Sequence, residues 1–272
     1  MKYKILVLDI DGTLTNSEKK ITPATKEALL KIQSNGIKVV IASGRPTPGT
    51  IRYASELEFD KYGSFILSYN GAKITNFATK EIIYQRTLPH TLIPALYKKA
   101  VELNCGIITY ENDCIIAGTA IDKYIEIESR INNIPIKCTD DFASCIDFDV
   151  NKCIVTNDGD ILAEAEKDFA EEFGDRLSIY RSEAYFLEIM PKNVDKAASL
   201  SELLKRLGIN KDEMICCGDG FNDISMIKYA GLGVAMSNAQ QAVKEAADYI
   251  TASNDEDGIV QVIEKFMPYA LN

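Results

Sequence analysis

The residues best suited to chemistry are two carboxylates, Asp9 and Asp11, which directly follow a short apolar run. The run Lys4–Leu8 before them and Gly12 after them are typical of a buried parallel strand that ends in a tight loop. Ligands of open α/β sheets bind beyond the carboxyl ends of the strands. Because two like charges this close repel unless a cation or a proton offsets them, we predict a functional pair.

Such a pair has a specific chemical use. One carboxylate could attack phosphorus and form an aspartyl-phosphate, and the other could protonate the leaving oxygen and then take a proton from water. This division of labour needs two acids in different surroundings. A pair that only binds metal, or that caps a turn, is the alternative that the spacing leaves open.

A second cluster, Ser43-Gly44-Arg45, follows another apolar run. A hydroxyl and backbone N–H groups ahead of a helix suit a phosphate oxygen. Arg45 could bind a phosphate in bidentate fashion or pair with a surface carboxylate. A plain turn or helix cap is the alternative for the whole cluster.

Two further clusters lie near the C-terminus. The pair Asp195-Lys196 lies at the start of a predicted helix, where the helix dipole disfavours a lysine. Neutralising a phosphoryl group would explain the placement of Lys196; a solvated lysine is the alternative. In the segment Gly218–Asp223, two glycines around an acid allow a sharp loop near a ligand. Asp219 and Asp223 offer the hard oxygen donors that magnesium prefers, although a structural Asx-turn is also possible for this segment.

Strands and helices alternate at both ends of the chain, which predicts a parallel sheet with helices on both faces. The predicted strands are Lys4–Leu8, Ile37–Ala42, Ser64–Ser68, Met214–Cys217, Leu232–Met236 and Tyr249–Thr251. The predicted helices are Thr25–Ser34, Thr50–Leu57, Ala197–Leu207, Ile224–Ala230, Ala239–Ala247 and Gly258–Phe266. Each cluster lies at the end of a strand or just before a helix, so the topology should bring the clusters to one edge of the sheet.

The middle of the chain has a different pattern. Helices over 91–104, 121–131 and 161–173 alternate with short strands and two hairpins, which is typical of a separate α+β domain. The predicted fold class is therefore α/β, a Rossmann-like doubly wound parallel sheet formed by residues 1–85 and 191–272, with residues 86–190 inserted as an α+β domain.

The composition limits the classes of function. The 272 residues carry a formal net charge of -10, which disfavours a nucleic-acid partner. An apolar run of the roughly 18–20 residues that span a bilayer is missing, and Asp9 and Asp11 interrupt any signal peptide, so we expect a cytoplasmic protein without a membrane partner. The seven cysteines form no C-x-x-C pair and are expected to be reduced core residues. A single histidine, His90, makes a zinc site improbable.

Taken together, the four clusters resemble the motifs of the haloacid dehalogenase superfamily of phosphohydrolases. The matches, in chain order, are Asp9-Ile10-Asp11-Gly12-Thr13, Ser43, Lys196 and Gly218-Asp219-Gly220-x-Asn222-Asp223. The resemblance covers essentially the whole chain. The long insert, and Asn70-Gly71-Ala72 just before it, resemble the Cof-type branch, in which the insert is a large cap domain.

The resemblance implies roles in catalysis and in binding a magnesium ion. Asp9 would be the nucleophile and a Mg²⁺ ligand. Asp11 would be the general acid/base, with its backbone carbonyl also on the metal. Asp219 would complete the protein's share of the metal shell, and Asp223 would support it directly or through water.

The phosphate-binding residues implied by the resemblance are Ser43 and Lys196, which would hold the transferring phosphoryl group, together with Gly44 and Asn222, with Arg45 as a further candidate. One departure is visible. The family often has Gly or Ser before the third-motif lysine and Gly after it, whereas Asp195 and Ala197 stand here. Because the lysine itself is present, we expect an active enzyme, with a local backbone that differs at this point.

The leading hypothesis is a Mg²⁺-dependent phosphatase that acts on small phosphorylated metabolites, sugar phosphates above all, with the cap domain supplying selectivity. The related transport ATPases have threonine in place of Asp11. An acid at this position favours rapid hydrolysis of the phosphoenzyme.

The alternatives are a phosphosugar mutase of the phosphomannomutase type, which would return the phosphoryl group to the sugar, and a non-catalytic phospholigand sensor. The sequence leaves the oligomeric state open.

Overall fold

The computed structural model describes residues 3–272. The chain divides into two compact units, one formed by the residues up to 84 together with 195–272 and the other by 85–194. The expected boundaries, at 85/86 and 190/191, differ from these by one and four residues.

The strands of the described chain are β1 (Ile5–Leu8), β2 (Lys38–Ala42), β3 (Phe65–Ser68), β4 (Lys73–Asn76), β5 (Ile82–Gln85), β6 (Gly106–Glu111), β7 (Cys114–Ala117), β8 (Ile136–Cys138), β9 (Cys153–Thr156), β10 (Leu177–Glu183), β11 (Phe186–Pro191), β12 (Met214–Gly218), β13 (Leu232–Ala235) and β14 (Tyr249–Ile250). The α-helices are α1 (Pro23–Ser34), α2 (Thr47–Glu56), α3 (Phe59–Tyr62), α4 (Ile93–Glu102), α5 (Lys123–Asn132), α6 (Phe142–Cys145), α7 (Gly159–Phe173), α8 (Lys196–Leu207), α9 (Ile224–Tyr229), α10 (Gln241–Ala246) and α11 (Gly258–Phe266).

The first unit is built on an eight-stranded sheet with the order β14-β13-β12-β1-β2-β3-β4-β5. Strands β14 to β3 in this order pair in parallel, and β4 pairs with β3 in antiparallel fashion. The strand order changes direction beside β1, which lies between β12 and β2. Ligands of open α/β sheets bind at such a point.

Both faces of β1 are buried, which explains its unbroken apolar sequence. Leu6 and Leu8 belong to a hydrophobic core that includes residues of α1 and α11. Ile5 and Val7 belong to a second core that includes residues of α8. The prediction of a doubly wound parallel sheet with helices on both faces is therefore confirmed.

The start of α1 is fixed by a capping threonine and an early proline. The side chain of Thr22 accepts a hydrogen bond from the backbone N–H of Thr25, and Pro23 occupies the first turn. A proline is tolerated at this position because the N–H that it lacks would have no partner within the helix.

Five short strands and helices were not predicted from the sequence: β4, β5 and α3 in the first unit, and β8 and α6 in the second. Each has five residues or fewer and sits next to loops or turns, so none carries enough periodicity to be recognised. The antiparallel strand β4 extends a sheet that the sequence had predicted to be parallel.

The second unit contains a six-stranded sheet with the order β10-β11-β9-β6-β7-β8. Its pairs are antiparallel except for the parallel pair β7–β8. A separate hydrophobic core includes Leu96 of α4 together with Phe169 and Phe173 of α7. This mixture of a largely antiparallel sheet and helices agrees with the predicted α+β insert.

The seven cysteines are free thiols. Four are buried, as expected for core residues, whereas Cys114 is half-buried and Cys138 and Cys145 are exposed, so the expectation was wrong for these three. Within residues 3–272, every helix is too short or too polar to cross a membrane.

A buried glutamine links α1 to the start of β3. The Gln33 side-chain amide donates to the carbonyl oxygen of Leu57 over 2.9 Å, and its oxygen accepts from the Ser64 hydroxyl over 2.7 Å.

We predict that Gln33→Met lowers the free energy of unfolding by about 2 kcal/mol, because both partners stay buried without this amide. Urea unfolding followed by circular dichroism measures the effect. The control Gln261→Met, on the exposed side of α11, should change stability by less than about 0.5 kcal/mol. Equal losses in the two variants would contradict the prediction.

Candidate active site

The loop after β1 places Asp9 at the carboxyl end of the sheet. The backbone N–H of Asp9 donates to the carbonyl oxygen of Cys217 in β12 over 3.1 Å, and its own carbonyl accepts from the N–H of Leu14 over 3.1 Å. Gly12 turns the loop with a φ of 81°, a value that glycine adopts without a steric penalty. The side chain of Asp9 is buried but not sealed, since Asp9 is 7% exposed.

Lys196 lies at the centre of the site. Its side chain is fully buried, and its ammonium donates to Asp9 Oδ1 over 2.7 Å, Asp223 Oδ1 over 2.6 Å and the Ala42 carbonyl oxygen over 2.7 Å. Asp195 caps α8 by accepting from the N–H of Ala198, and this cap fixes the helix end that carries the lysine. The alternative of a solvated lysine is therefore excluded.

The charge of Lys196 is maintained by its partners. Burial would lower the pKa of the ammonium, but the carboxylates of Asp223 and Asp9 outweigh this effect and raise it above its ordinary value. An ammonium has three hydrogens to donate, and the three contacts of Lys196 use all of them.

The loop after β12 supplies two more carboxylates. Asp223 is fully buried, and its Oδ2 accepts from the backbone N–H groups of Asp219 and Gly220 over 3.0 and 2.9 Å. Asp219 accepts a hydrogen bond from the Thr13 hydroxyl over 2.8 Å. Burial raises the pKa of Asp219 to about 6, despite this hydrogen bond. The first and fourth clusters are thus joined directly.

Asp9, Asp219 and Asp223 form a compact acidic group. Each offers a carboxylate oxygen, and these oxygens lie within 4.8 Å of one another. Burial raises the pKa of Asp9 well above its ordinary value, Lys196 acts against this effect, and the charges of Asp223 and Asp219 add to it. Three carboxylates around one ammonium leave an excess of negative charge. All-oxygen donors with such an excess fit a hard divalent cation such as Mg²⁺.

Asp11 has different surroundings. Arg45 donates to both of its oxygens, from Nε and Nη2, each over 2.8 Å, and Lys19 Nζ donates to Oδ1 over 2.9 Å. Although burial acts to raise it, the hydrogen bonds and charges of Arg45 and Lys19 hold the pKa of Asp11 below its ordinary value. The first two carboxylates of the sequence therefore differ in the direction of their pKa shifts, as acids with distinct roles require.

The second cluster meets the others through its backbone. Ser43 follows β2, and its Oγ accepts from the N–H of Arg45 over 3.2 Å, while the preceding Ala42 carbonyl binds Lys196. Gly44 packs against the side chain of Asn70, because a Cβ at this glycine would lie 2.9 Å from Asn70 Oδ1. All four sequence clusters therefore converge within the first unit.

Asn222 and Arg45 each bind another residue of the candidate site. Asn222 donates to Asn70 Oδ1 over 2.9 Å, and Arg45, predicted first as a phosphate ligand, forms a bidentate ion pair with Asp11. Of the two partners that the sequence left open for Arg45, a phosphate or a carboxylate, the structure shows the carboxylate of Asp11.

Four residues at the site were missed as functional candidates. Thr13 and Asn70 lie inside the segments Asp9–Thr13 and Asn70–Ala72, whose resemblance to the family could have indicated both residues. Lys19 and Asn238 stand in segments without any motif, and only the tertiary structure reveals them. The Asn238 amide donates to the Gly12 carbonyl over 2.8 Å.

Comparison with known proteins places this site in a family. The profile of the haloacid dehalogenase-like hydrolases matches residues 6–263. The 5-amino-6-(5-phospho-D-ribitylamino)uracil phosphatase YcsE of Bacillus subtilis is 33% identical over 97% of this chain and 96% of its own length. A crystal structure of a haloacid dehalogenase-like hydrolase from Bacteroides thetaiotaomicron is 46% identical, covers 98% of this chain and 100% of its own, and has a TM-score of 0.95.

A sugar phosphatase of haloacid dehalogenase subclass IIB is also similar in structure, with 30% identity, a TM-score of 0.80, and coverage of 97% of this chain and 98% of its own. The family match spans most of the chain, and the two solved structures cover 98% and 97% of it. The chain therefore belongs to the Cof-type branch of the haloacid dehalogenase superfamily and is a phosphatase.

Proposed function

We propose that the protein hydrolyses phosphate monoesters of small metabolites, sugar phosphates first among them, by way of an aspartyl-phosphate on Asp9 and with Mg²⁺ as cofactor. The observation that carries this proposal is the arrangement around Lys196, which joins Asp9 to Asp223 while a second acid, Asp11, stands two residues along the chain in a different environment. The subclass IIB sugar phosphatase among the similar structures supports the substrate class.

Asp9 is suited to be the nucleophile. Lys196 binds its Oδ1, which leaves Oδ2 to attack the phosphorus. The bond from phosphorus to the ester oxygen then breaks, and the phosphoryl group stays on Asp9. Because the lysine holds one oxygen, the carboxylate cannot rotate freely, and the attack occurs from a fixed position.

Asp11 is suited to move protons in both steps. In the first step its carboxyl group would protonate the leaving oxygen, and in the second it would take a proton from the water that attacks the aspartyl-phosphate. The ion pairs with Arg45 and Lys19 hold it in the charged form, which is the form that accepts a proton. To donate in the first step, Asp11 must exchange the Arg45 contact for a proton.

The remaining residues bind the phosphoryl group and the cation. The Ser43 hydroxyl, the Gly44 backbone and the Asn222 amide would contact phosphate oxygens, and Lys196 would neutralise the charge on the acidic group. Asp9 and Asp219, together with the backbone carbonyl of Asp11, would hold Mg²⁺. Asp223 would support that shell, since its oxygens already accept from Lys196 and two backbone N–H groups. When bound, the cation supplies charge stabilisation to the phosphoryl oxygens.

We assign substrate selectivity to the second unit, residues 85–194, in the role of a cap. This assignment rests on the resemblance of the insert to the Cof-type cap and on the separate core of that unit. A domain with its own core can vary its surface residues without disturbing the catalytic unit.

A screen of the purified protein against a panel of phosphorylated metabolites tests the proposal, with free phosphate as the readout. We expect Mg²⁺-dependent release of phosphate, fastest from sugar phosphates. Interconversion of a sugar 1-phosphate and 6-phosphate with little free phosphate would instead identify a mutase. Tight binding of a phosphorylated ligand with no turnover in Mg²⁺ would identify a sensor.

Asp9→Asn should abolish turnover, by a factor of about 10³ or more, because an amide oxygen does not form the phosphoenzyme. Rapid quench with a ³²P-labelled substrate measures both phosphate release and labelled protein. The control Asp60→Asn, an exposed acid in the same unit, should retain the parent rate. Phosphate release by Asp9→Asn at the rate of the parent would show that another residue is the nucleophile.

Cation binding should weaken as the pH falls. Below about pH 6 Asp219 carries a proton in the cation-free protein, since its pKa is raised to about 6, and Mg²⁺ must displace this proton to bind. We predict that the apparent Mg²⁺ affinity, measured by calorimetry, falls by about ten-fold between pH 7.5 and pH 5. An affinity independent of pH would contradict the assignment of Asp219 as a ligand.

EDTA should inactivate the enzyme and added Mg²⁺ should restore it. Full activity in EDTA would contradict the assignment of Mg²⁺ as the cofactor.

A further inference from the structure

The turn after β3 has an unusual backbone. Tyr69, Asn70 and Gly71 have successive φ values of 53°, 53° and 104°. Residues other than glycine rarely adopt this left-handed region, and asparagine tolerates it better than tyrosine does. Such conformations persist only where the surrounding structure fixes them, and they concentrate at functional sites.

The contacts of this turn point toward the second cluster of the site. The backbone N–H of Tyr69 donates to the Arg45 carbonyl oxygen over 2.9 Å, and the N–H of Asn70 donates to the Ser43 carbonyl oxygen over 3.0 Å. Two successive N–H groups can face the same loop because both residues have left-handed dihedral angles. The turn thus fixes the backbone on either side of Gly44.

The side chain of Asn70 extends the same link to the fourth cluster. Its Oδ1 accepts from the Asn222 amide over 2.9 Å, and its amide group lies against Gly44, where any Cβ would come within 2.9 Å of Oδ1. A glycine at position 44 is what permits this approach. One side chain therefore touches two of the groups proposed to bind phosphate.

The turn also borders the helix that carries Lys196. A Cβ on Gly71 would lie 2.5 Å from the carbonyl oxygen of Asp195 and 2.7 Å from Ser199 Oγ. Gly71 therefore packs directly on the first turn of α8. The segment Tyr69–Gly71 contacts the second, third and fourth clusters of the site at once.

From this geometry we infer that Asn70 is a positioning residue, which holds the Ser43–Arg45 loop and the Asn222 amide in the arrangement that binds the phosphate group. The inference rests on the proposed function, since it concerns the phosphate-binding side of that site. Asn70 acts through Gly44 and Asn222, and its left-handed backbone is the condition for its two links.

The variant Asn70→Gly tests the inference, because glycine keeps the left-handed backbone without strain and removes only the side chain. The readouts are kcat and KM with p-nitrophenyl phosphate in Mg²⁺, and the dissociation constant of inorganic phosphate by calorimetry. We expect KM and the phosphate dissociation constant to rise together, by about 10- to 100-fold, with a melting temperature close to that of the parent. Values within two-fold of the parent would overturn the inference.

A double-mutant cycle separates positioning from a general structural effect. Asn222→Ala should also weaken phosphate binding, and the loss in Asn70→Gly combined with Asn222→Ala should be smaller than the product of the two single losses, because part of the effect of Asn70 passes through Asn222. Losses that multiply would show that Asn70 acts independently of Asn222 and would overturn the inference.

The matched control is Asn133→Gly. Asn133 is also a left-handed asparagine, with a φ of 54° at the end of α5 in the second unit, and its replacement should leave phosphate binding unchanged. Phosphate binding also separates this inference from the proposed function. A parent protein that binds phosphate but hydrolyses no ester would refute the proposed function, while the effect of Asn70→Gly on phosphate binding would still decide the role of Asn70.

Discussion

The site depends on one buried ammonium. Lys196 is fully buried, and its three hydrogen bonds join the ends of β1 and β2 to the loop after β12. Removal of one partner of a buried ion pair costs about 3–5 kcal/mol in general, because the other charge remains uncompensated. Here two carboxylates share one lysine, so the position of each depends on the other.

This arrangement explains why the residues are spread through the sequence. Asp9 and Ser43 lie at the ends of adjacent parallel strands, and the backbone of each is held by a neighbouring strand, through Cys217 and Leu67. The helix α8, packed on one face of the sheet, delivers the lysine from far along the chain. The rigid sheet therefore fixes the positions of the reactive side chains, and the short loops at its edge carry them.

Much of the fold could be predicted from the sequence because the central strands are buried on both faces, and their apolar runs stand out from the polar loops. Thr22 and Pro23 likewise announce the start of α1. The edge strand β4 could not be predicted, since four residues adjoining a turn give no periodicity. The central members of the site followed from the motifs, as Asp9, Lys196 and Asp219 show.

The choice of partners within the site was harder to predict. Arg45 could have bound a phosphate or a carboxylate, and only the three-dimensional arrangement brings its guanidinium to Asp11. Lys19 comes from a loop without a motif, and only the folded loop brings its ammonium to Asp11. These ion pairs depend on how close two loops come in the folded protein, to within a few ångström. The sequence alone does not give that distance.

If the acidic group binds the cation as proposed, it also couples catalysis to folding. The folded chain gathers Asp9, Asp219 and Asp223, whereas the denatured chain disperses them and offers a cation no comparable set of ligands. By mass action, any ion that binds this group raises the free energy of unfolding, and above its dissociation constant the gain grows with the logarithm of the free ion concentration. The ion proposed for the reaction would then also stabilise the fold, and its removal would lower the stability of the protein as well as its activity.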